Sequence, residues 1–140
     1  AERRKPEQAE LELLGQKVSV SYSPLDIGQI AQIFDGDPKT FIRSFEANPL
    51  EITLSFSQPV ELHGVSVLIG NAASRLEVEV SSPNQLVPQQ FSDEIGAQEA
   101  YRTLAVPFGS ALQVQSLRLR LYDLAQSEPG HVHLWEVSLE

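Results

Sequence analysis

The chain has 140 residues, neither cysteine nor methionine, and 19 acidic against 10 basic side chains, which give a formal charge of −9. Its length fits one domain with a single core, and the lack of cysteine excludes disulfides, thiolate metal sites and a cysteine nucleophile. The negative charge repels phosphate backbones, so we expect no nucleic-acid partner and favour cations or neutral ligands. Because it begins at Ala1 and lacks methionine, we interpret the chain as a processed product or a piece of a larger protein.

The N-terminal segment differs in pattern from the rest. Residues 1–16 are mostly polar, and Gly15 is placed to stop a short helix that starts after Pro6. We therefore predict a linker or short helix over 1–16 and one folded domain over 17–140. From residue 17 onward, apolar side chains recur at every second position, which is the period of a strand with one buried face.

These alternating stretches predict an all-β domain. The clearest are LEITLSF, GVSVLIG, RLEVEVSS and SLRLRLYD, and weaker candidates are KVSVSYS, YRTLAVPF and HVHLWEVSLE. About seven strands, separated by turn-forming SQP, SSPNQ and SEPG, are typical of a β-sandwich or jelly roll. Early in the domain, Ile27, Ile30 and Ile33 are spaced three apart, which predicts one short helical turn.

An acidic stretch, DGDPKTFIRS, occupies residues 35–44. Two carboxylates, a hydroxyl and the carbonyls of a tight turn are the hard oxygen ligands that calcium prefers. Glu136 lies inside the apolar HLWEVSL, where a carboxylate is costly unless it is paired or bound to a metal. The apolar positions of this strand alternate up to Leu134 and resume one residue out of step after it. This change predicts a β-bulge at Trp135 and Glu136, which would free a backbone carbonyl.

Five pieces follow one another along the chain: IFDGDPKTFIRS, ANPLEITLSFSQPVELHGVSV, LEVEVSS, LRLRL and LWEVSL. Their order resembles the coagulation-factor type C or discoidin domain and the related carbohydrate-binding modules of the galactose-binding-like fold. The resemblance covers about residues 20 to 140 and implies a jelly-roll β-sandwich. The chain departs from the family at Ile42, where tryptophan is usual, and lacks the paired terminal cysteines of animal members. These departures favour a bacterial or intracellular member, and within that range we favour an extracytoplasmic or secreted bacterial context.

Members of this family often hold a structural calcium ion. The resemblance places it on the oxygens of Asp35, Asp37, Thr40 and Glu136, with the backbone carbonyl of Trp135. The alternative is that the two aspartates only cap a turn, while Arg43 or backbone amides take up the Glu136 carboxylate.

In sugar-binding members the ligand docks on loops at one end of the sandwich, between planar hydrogen-bond donors and an aromatic face. When the binding positions of these members are transferred to this sequence, they fall on Asp26, Arg43, Phe45, Glu46, Asn71 and Arg75. Few aromatic side chains are available to a ligand, because we expect Trp135 in the core and only Phe45 and Phe91 on loops. Arg43 and Arg75 have an alternative interpretation as surface charges that balance an acidic body.

Other residue patterns give weaker evidence for a metal site or for catalysis. His131 and His133 share one strand face and have the spacing to hold zinc with Asp123 or Glu128 as third ligand, although exposed strand-end histidines explain the pattern too. The sequence contains no G-x-S-x-G elbow and no glycine-rich phosphate loop, so we predict no enzyme.

We predict a non-catalytic binding module for carbohydrate, stabilised by a structural calcium ion, that serves as an accessory domain of a larger protein. The alternative is a protein-interaction or structural β-sandwich without a sugar site. The stretch QLVPQQF offers an apolar tip at Leu86, Val87 and Phe91, but no lysines flank it, so membrane binding is not favoured. The sequence decides neither the ligand nor the oligomeric state.

Overall fold

A computed structural model describes residues 5–125 and 130–140. Nearly every regular element in these residues is a strand, which confirms the predicted all-β class. The strands are β1 Glu7–Leu13, β2 Gln16–Tyr22, β3 Leu25–Ile27, β4 Ile42–Ser44, β5 Leu50–Ile69, β6 Ser74–Ser81, β7 Gln89–Ile95, β8 Arg102–Asp123, β9 His133–Leu134 and β10 Glu136–Leu139. The short helical turn is present as a 3₁₀ helix, Ile30–Phe34. Among the described residues no helix has the length and apolarity to cross a membrane.

Two antiparallel sheets form the predicted β-sandwich. The main sheet has the order β1-β2-β5-β8-β6-β7, and β10 pairs with the C-terminal part of β5. The small sheet has the order β3-β4-β9. Its residues Ile42 and Leu134 are buried in the core.

The long strands β5 and β8 each contain two stretches that the sequence pattern predicted as separate strands. A straight strand of 20 residues is about 66 Å long, which exceeds the width of a domain of this size. The pair bends where its register shifts, between Ser55 and Val60 and between Leu62 and Gly64, so the predicted turn SQP is an irregularity within β5. The first half of β5 pairs with β2 and the second with β10.

Both halves of this bent pair contribute to one hydrophobic core. On β5, Ile52, Leu54 and Phe56 from one half and Val67 and Ile69 from the other are at most 3% exposed. Strands β6 and β8 repeat the alternation, with charged side chains turned towards solvent. Burial of these apolar faces is the main force that holds the fold together.

The N-terminal prediction of a linker or short helix is wrong for residues 7–13, which form β1. This strand pairs with β2, and Leu11 and Leu13 pack against the core. The two strands are joined by Leu14 at φ 53° and Gly15 at φ 77°. A positive φ at both central residues is typical of a two-residue hairpin turn, so Gly15 closes a hairpin and does not stop a helix.

The parity shift near the C-terminus is present, but its cause differs from the predicted bulge. Strand β9 pairs with β4 in the small sheet, whereas β10 pairs with β5 in the main sheet. The chain therefore changes sheets at Trp135, whose backbone N–H donates to the carbonyl of Leu68 at 3.0 Å. Because the two sheets have different inner faces, the buried positions change register at this point.

The close approach of β5 and β8 generates a stability prediction. A Cβ on Gly64 would lie 2.9 Å from the backbone oxygen of Val106 and 3.0 Å from the Cα of Pro107. We expect Gly64→Ala to lower the free energy of unfolding by about 2 kcal/mol, because backbone must move. Gly96→Ala, whose Cβ would meet no atom within 4 Å, should change it by less than about 0.5 kcal/mol. Urea denaturation measures both, and equal loss in the two variants would contradict this packing.

Candidate functional site

The outer face of the small sheet carries an ion pair. In β4, Ile42 and Ser44 are buried, so Arg43 between them faces outwards. Its Nε and Nη2 donate to the two carboxylate oxygens of Asp26 at 2.9 and 2.7 Å. This hydrogen bonding lowers the pKa of Asp26 below its usual value. The predicted ligand residues Asp26 and Arg43 thus lie together, with the guanidinium fork occupied by the carboxylate.

The stretch HVHLW adds an aromatic row to this face. Val132 and Leu134 are buried, so His131, His133 and Trp135 lie on the opposite side of the strand. Burial lowers the pKa of His133 below its ordinary value, which keeps its imidazole neutral near pH 7.

Three rings meet around Trp135. The ring centroid of Trp135 lies 4.7 Å from that of Tyr101, 5.1 Å from that of Phe41 and 6.1 Å from that of His133. Gly70 leaves room for the indole, because a Cβ there would make a tight contact of 3.3 Å with the Trp135 ring. Tyr101 is 64% exposed, so its ring is available to a ligand.

A cavity of about 550 Å³ opens beside these rings. Four segments converge on it: the β5–β6 loop, the β7–β8 loop, the end of β8 and strand β9. Its wall includes Asn71, Tyr101, Asp123, His133 and Trp135.

Backbone hydrogen bonds hold these segments in place. Asn48 bonds through its side chain to both the backbone N–H and the carbonyl of Asp123, at 3.0 and 2.8 Å. The N–H of Gln98 donates to the carbonyl of Asn71 at 2.9 Å, which links the two loops that form the rim. Such anchoring leaves the cavity preformed, as small-molecule sites usually are.

The other predicted ligand residues are distributed differently. Asn71 lies in the cavity wall, whereas Phe45 and Glu46 lie in the loop after β4 and do not line it. Arg75 is on β6, where its Nη2 lies 3.1 Å from a carboxylate oxygen of Glu77. The geometry therefore groups Asp26 and Arg43 beside the cavity and Asn71 within it, and leaves Arg75 in a surface ion pair.

Sequence reasoning missed the aromatic part of the site. It expected Trp135 in the core, but this ring is only partly buried and lines the cavity. The signal was present in HVHLW, since a period of two places three ring-bearing side chains opposite two buried apolar ones. Tyr101 and Phe41 carried no such signal, because only the loop arrangement brings them to Trp135.

The zinc alternative has little geometric support. The Nδ1 of His131 lies 2.9 Å from the carbonyl of Ser44 and 3.9 Å from a carboxylate oxygen of Asp26. Within residues 5–125 and 130–140, no three His, Cys, Asp or Glu side chains are grouped to hold a metal. Glu128, the other proposed ligand, lies outside the described residues.

A cluster of oxygens surrounds the hydroxyl of Thr40. Its Oγ1 lies 3.0 Å from Oδ2 of Asp35, 3.2 Å from the carbonyl of Asp37 and 3.4 Å from the carbonyl of Gln32. A hydroxyl has one proton, so it can satisfy only one of these acceptors at a time. The predicted turn capping is also present, since Oδ1 of Asp35 accepts from the N–H of Asp37, and Oδ1 of Asp37 from that of Lys39.

Glu136 completes this cluster from the other end of the chain. Burial raises its pKa to about 7, and the neighbouring Asp35 carboxyl adds to the effect. Its Oε1 is buried without a hydrogen-bond partner. Of the two kinds of partner in the alternative interpretation, Arg43 is bonded to Asp26. The backbone N–H of Gly36 does donate to the Glu136 carboxylate, which lowers its pKa against the larger effects of burial and Asp35.

Two adjacent carboxylates, a hydroxyl and the carbonyls of Gln32 and Asp37 are oxygens of the kind that calcium prefers. This set differs from the predicted one: the Asp37 carboxylate caps the turn, and the three predicted carboxylates are not grouped as a metal site within the described residues. The Trp135 carbonyl as a ligand stays a prediction.

Comparison with known proteins gives the fold. No protein-family model and no curated protein matches the chain. Its structure is similar to an F5/8 type C domain from Bacteroides fragilis, with a TM-score of 0.68 at 15% identity over 94% of this chain and 95% of that chain. It is also similar to the family 32 carbohydrate-binding module of Clostridium perfringens NanJ in complex with galactose, with a TM-score of 0.63 at 12% identity over 87% and 92%.

A third similar structure belongs to a larger protein. This is the Ruminococcus gnavus GH29 fucosidase in complex with fucose, with a TM-score of 0.64 at 14% identity over 87% of this chain. The present chain spans only 25% of that fucosidase chain. Together these likenesses confirm the predicted resemblance to discoidin-type and carbohydrate-binding modules at the level of the fold.

The aromatic contact generates a spectroscopic prediction. Trp135 is the one tryptophan of the chain, so tryptophan emission, excited at a wavelength that tyrosine does not absorb, reports on this site alone. We expect Tyr101→Ala to shift the emission to longer wavelength, because it exposes one side of the indole to water. Leu86→Ala, which removes a fully exposed side chain from the β6–β7 loop at the far end of β6, should leave emission unchanged. Identical spectra for Tyr101→Ala and the unmodified protein would contradict the ring contact.

Proposed function

We propose that this domain is a non-catalytic carbohydrate-binding module whose site is the cavity beside Trp135. The observation that supports this most strongly is the contact between the exposed Tyr101 ring and Trp135 at the wall of that cavity, with centroids 4.7 Å apart. A sugar combines an apolar C–H face with a rim of hydroxyls, and it is bound by aromatic rings together with polar groups.

The cavity supplies both kinds of contact. Tyr101 and Trp135 form the apolar wall, and the side chains of Asn71, Asp123 and His133 bring donors and acceptors to the rim. A neutral imidazole at His133 offers one donor and one acceptor to neighbouring hydroxyls. The similar module from C. perfringens is in complex with galactose, which makes a hexose a reasonable first ligand.

The alternative, a protein-interaction or structural sandwich without a sugar site, was favoured by a poor supply of loop aromatics. The rings of Phe41, Tyr101, His133 and Trp135 meet beside the cavity, which supports a sugar site instead. We further propose that the domain is an accessory part of a larger secreted or extracytoplasmic bacterial protein. Weak individual binding would then be reinforced by the parent protein or by several copies.

A glycan array tests the carbohydrate proposal. We expect the unmodified domain to give a signal that Tyr101→Ala reduces by about tenfold, because an aromatic contact is lost from the centre of the site. Leu86→Ala serves as the control and should retain the signal. A flat array, at protein concentrations that detect weak modules, would favour the protein-interaction alternative.

We also propose a structural calcium ion at the oxygen cluster around Thr40. Asp35, Glu136 and Thr40 would hold it through side chains, and Gln32 and Asp37 through carbonyls. The ion would neutralise two adjacent carboxylates and tie the loop after the 3₁₀ helix to β10. The unpartnered Oε1 of Glu136 supports this, since a buried carboxylate oxygen without a partner destabilises the fold.

Thermal unfolding with calcium and with chelator tests this ion. We expect calcium to raise the Tm by several degrees, since saturation at about 100 times Kd adds about 2.7 kcal/mol. With chelator, Glu136→Gln should melt at a higher temperature than the unmodified protein, because the substitution removes the repulsion between two carboxylates. With calcium, its Tm should rise far less than that of the unmodified protein, because a ligand of the ion is lost. A melting curve of the unmodified protein that is unaffected by calcium would leave only a hydrogen-bonded turn.

A further inference from the structure

The aromatic cavity continues past Tyr101 into a second depression. This depression has a volume of about 740 Å³, is more open than the cavity and is lined by residues 97–102. Glu99, Ala100 and Tyr101 line both spaces. A ligand longer than one sugar unit can therefore extend from one space into the other beside Tyr101.

The segment between the two spaces is held at both ends. The N–H of Gln98 donates to the carbonyl of Asn71 at 2.9 Å, which fixes this loop to the wall of the cavity. Arg102 is the first residue of β8 and is paired in register with Ile69. The second depression is therefore preformed, as is the cavity that it adjoins.

Arg102 brings hydrogen-bond donors to the second depression. It is partly exposed, and it lines this depression but not the cavity. Its Nε is buried without a hydrogen-bond partner. Within residues 5–125 and 130–140, Arg102 takes part in no ion pair, whereas the other four arginines, Arg43, Arg75, Arg118 and Arg120, are each paired with an acidic side chain. A guanidinium that no carboxylate occupies can donate to a ligand.

Glu99 supplies the opposite kind of group to the same depression. Its carboxylate only accepts hydrogen bonds, whereas the Arg102 guanidinium only donates them. Glu99 is also absent from the ion pairs of the part of the chain that the structure describes. A sugar hydroxyl both donates and accepts, so neighbouring hydroxyls of one sugar unit can use both side chains.

We propose that the depression is a second sugar subsite, and that the domain binds oligosaccharides of at least two units. One unit occupies the cavity beside Trp135, and the next lies beyond Tyr101 with its hydroxyls bonded to Arg102 and Glu99. This inference rests on the proposed carbohydrate function and deepens it by naming the length of the ligand. Tyr101 borders both units, because it lines both spaces.

Matched pairs of ligands test for the second subsite. The probes are lactose, melibiose, cellobiose and maltose, each compared with the methyl glycoside of its non-reducing sugar by NMR titration at pH 7. If the glycan array favours another glycan, that glycan and the methyl glycoside of its terminal sugar are added as a further pair. We expect at least one disaccharide to bind about tenfold tighter than its methyl glycoside, because the second unit adds hydrogen bonds to charged groups.

Substitutions of Arg102 identify the group responsible. Arg102→Leu keeps an apolar stem beside Ile69 and removes every donor, so the disaccharide should bind no tighter than its methyl glycoside. Arg102→Gln keeps a polar side chain but loses the charge and the planar fork, and it should reduce the same difference. Because the methyl glycoside occupies the cavity alone, its binding shows that each variant is folded.

The matched control is Arg118→Leu. It removes an arginine that lies near Glu79 on the outer face of the main sheet, and it should leave the difference between disaccharide and methyl glycoside intact.

The outcomes separate this inference from the proposed function. If the methyl glycosides bind but no disaccharide binds more tightly, or if both Arg102 variants keep the full difference, the second subsite is wrong and the carbohydrate function stands. If no sugar binds and the glycan array is also flat, both proposals fail.

Discussion

One backbone hydrogen bond organises the functional end of this domain. The N–H of Trp135 donates to the carbonyl of Leu68, at the point where the chain leaves the small sheet and enters the main sheet. On one side of this crossing, His133 is paired in register with Arg43. On the other side, Glu136 is brought to the acidic loop that contains Asp35. At the crossing itself, the indole lies over Gly70 and against Tyr101.

Under the proposed calcium and ligand sites, the same crossing would couple stability to recognition. A cation at the Thr40 cluster would fix Glu136, and the residue before it carries the central ring of the cavity. With the proposed ion bound, the acidic loop would position the proposed ligand site without contacting the ligand. Because the cavity is built from two loops, the end of β8 and strand β9, which a few hydrogen bonds hold together, small changes in this anchor would alter its shape.

Much of the fold could be predicted from the sequence, because a period of two directly reports a half-buried strand. The alternation in LEITLSF and SLRLRLYD predicted buried faces that the structure confirms. What alternation cannot show is whether two stretches belong to one bent strand, as in β5 and β8. Nor can it distinguish a hairpin from a linker when the turn is as unusual as Leu14–Gly15, where a leucine adopts positive φ.

The site was less accessible to such reasoning, since it depends on contacts between distant loops. Asp26 and Arg43 were carried over by position, and they form an ion pair across β3 and β4. By contrast, the contact of Tyr101 with Trp135 arises only after the sheets are assembled. The lack of a side chain at Gly70 also leaves room for the indole, which no local pattern predicts.

Nuclear Overhauser contacts of the single tryptophan provide the most direct test of the sheet crossing. If the chain changes sheets at Trp135, its ring protons should show strong contacts to the Hα protons of Gly70 and to the ring of Tyr101. Contacts instead to core side chains such as Val67 and Val137 would place the indole inside the sandwich. That result would contradict the crossing and remove the cavity built around it.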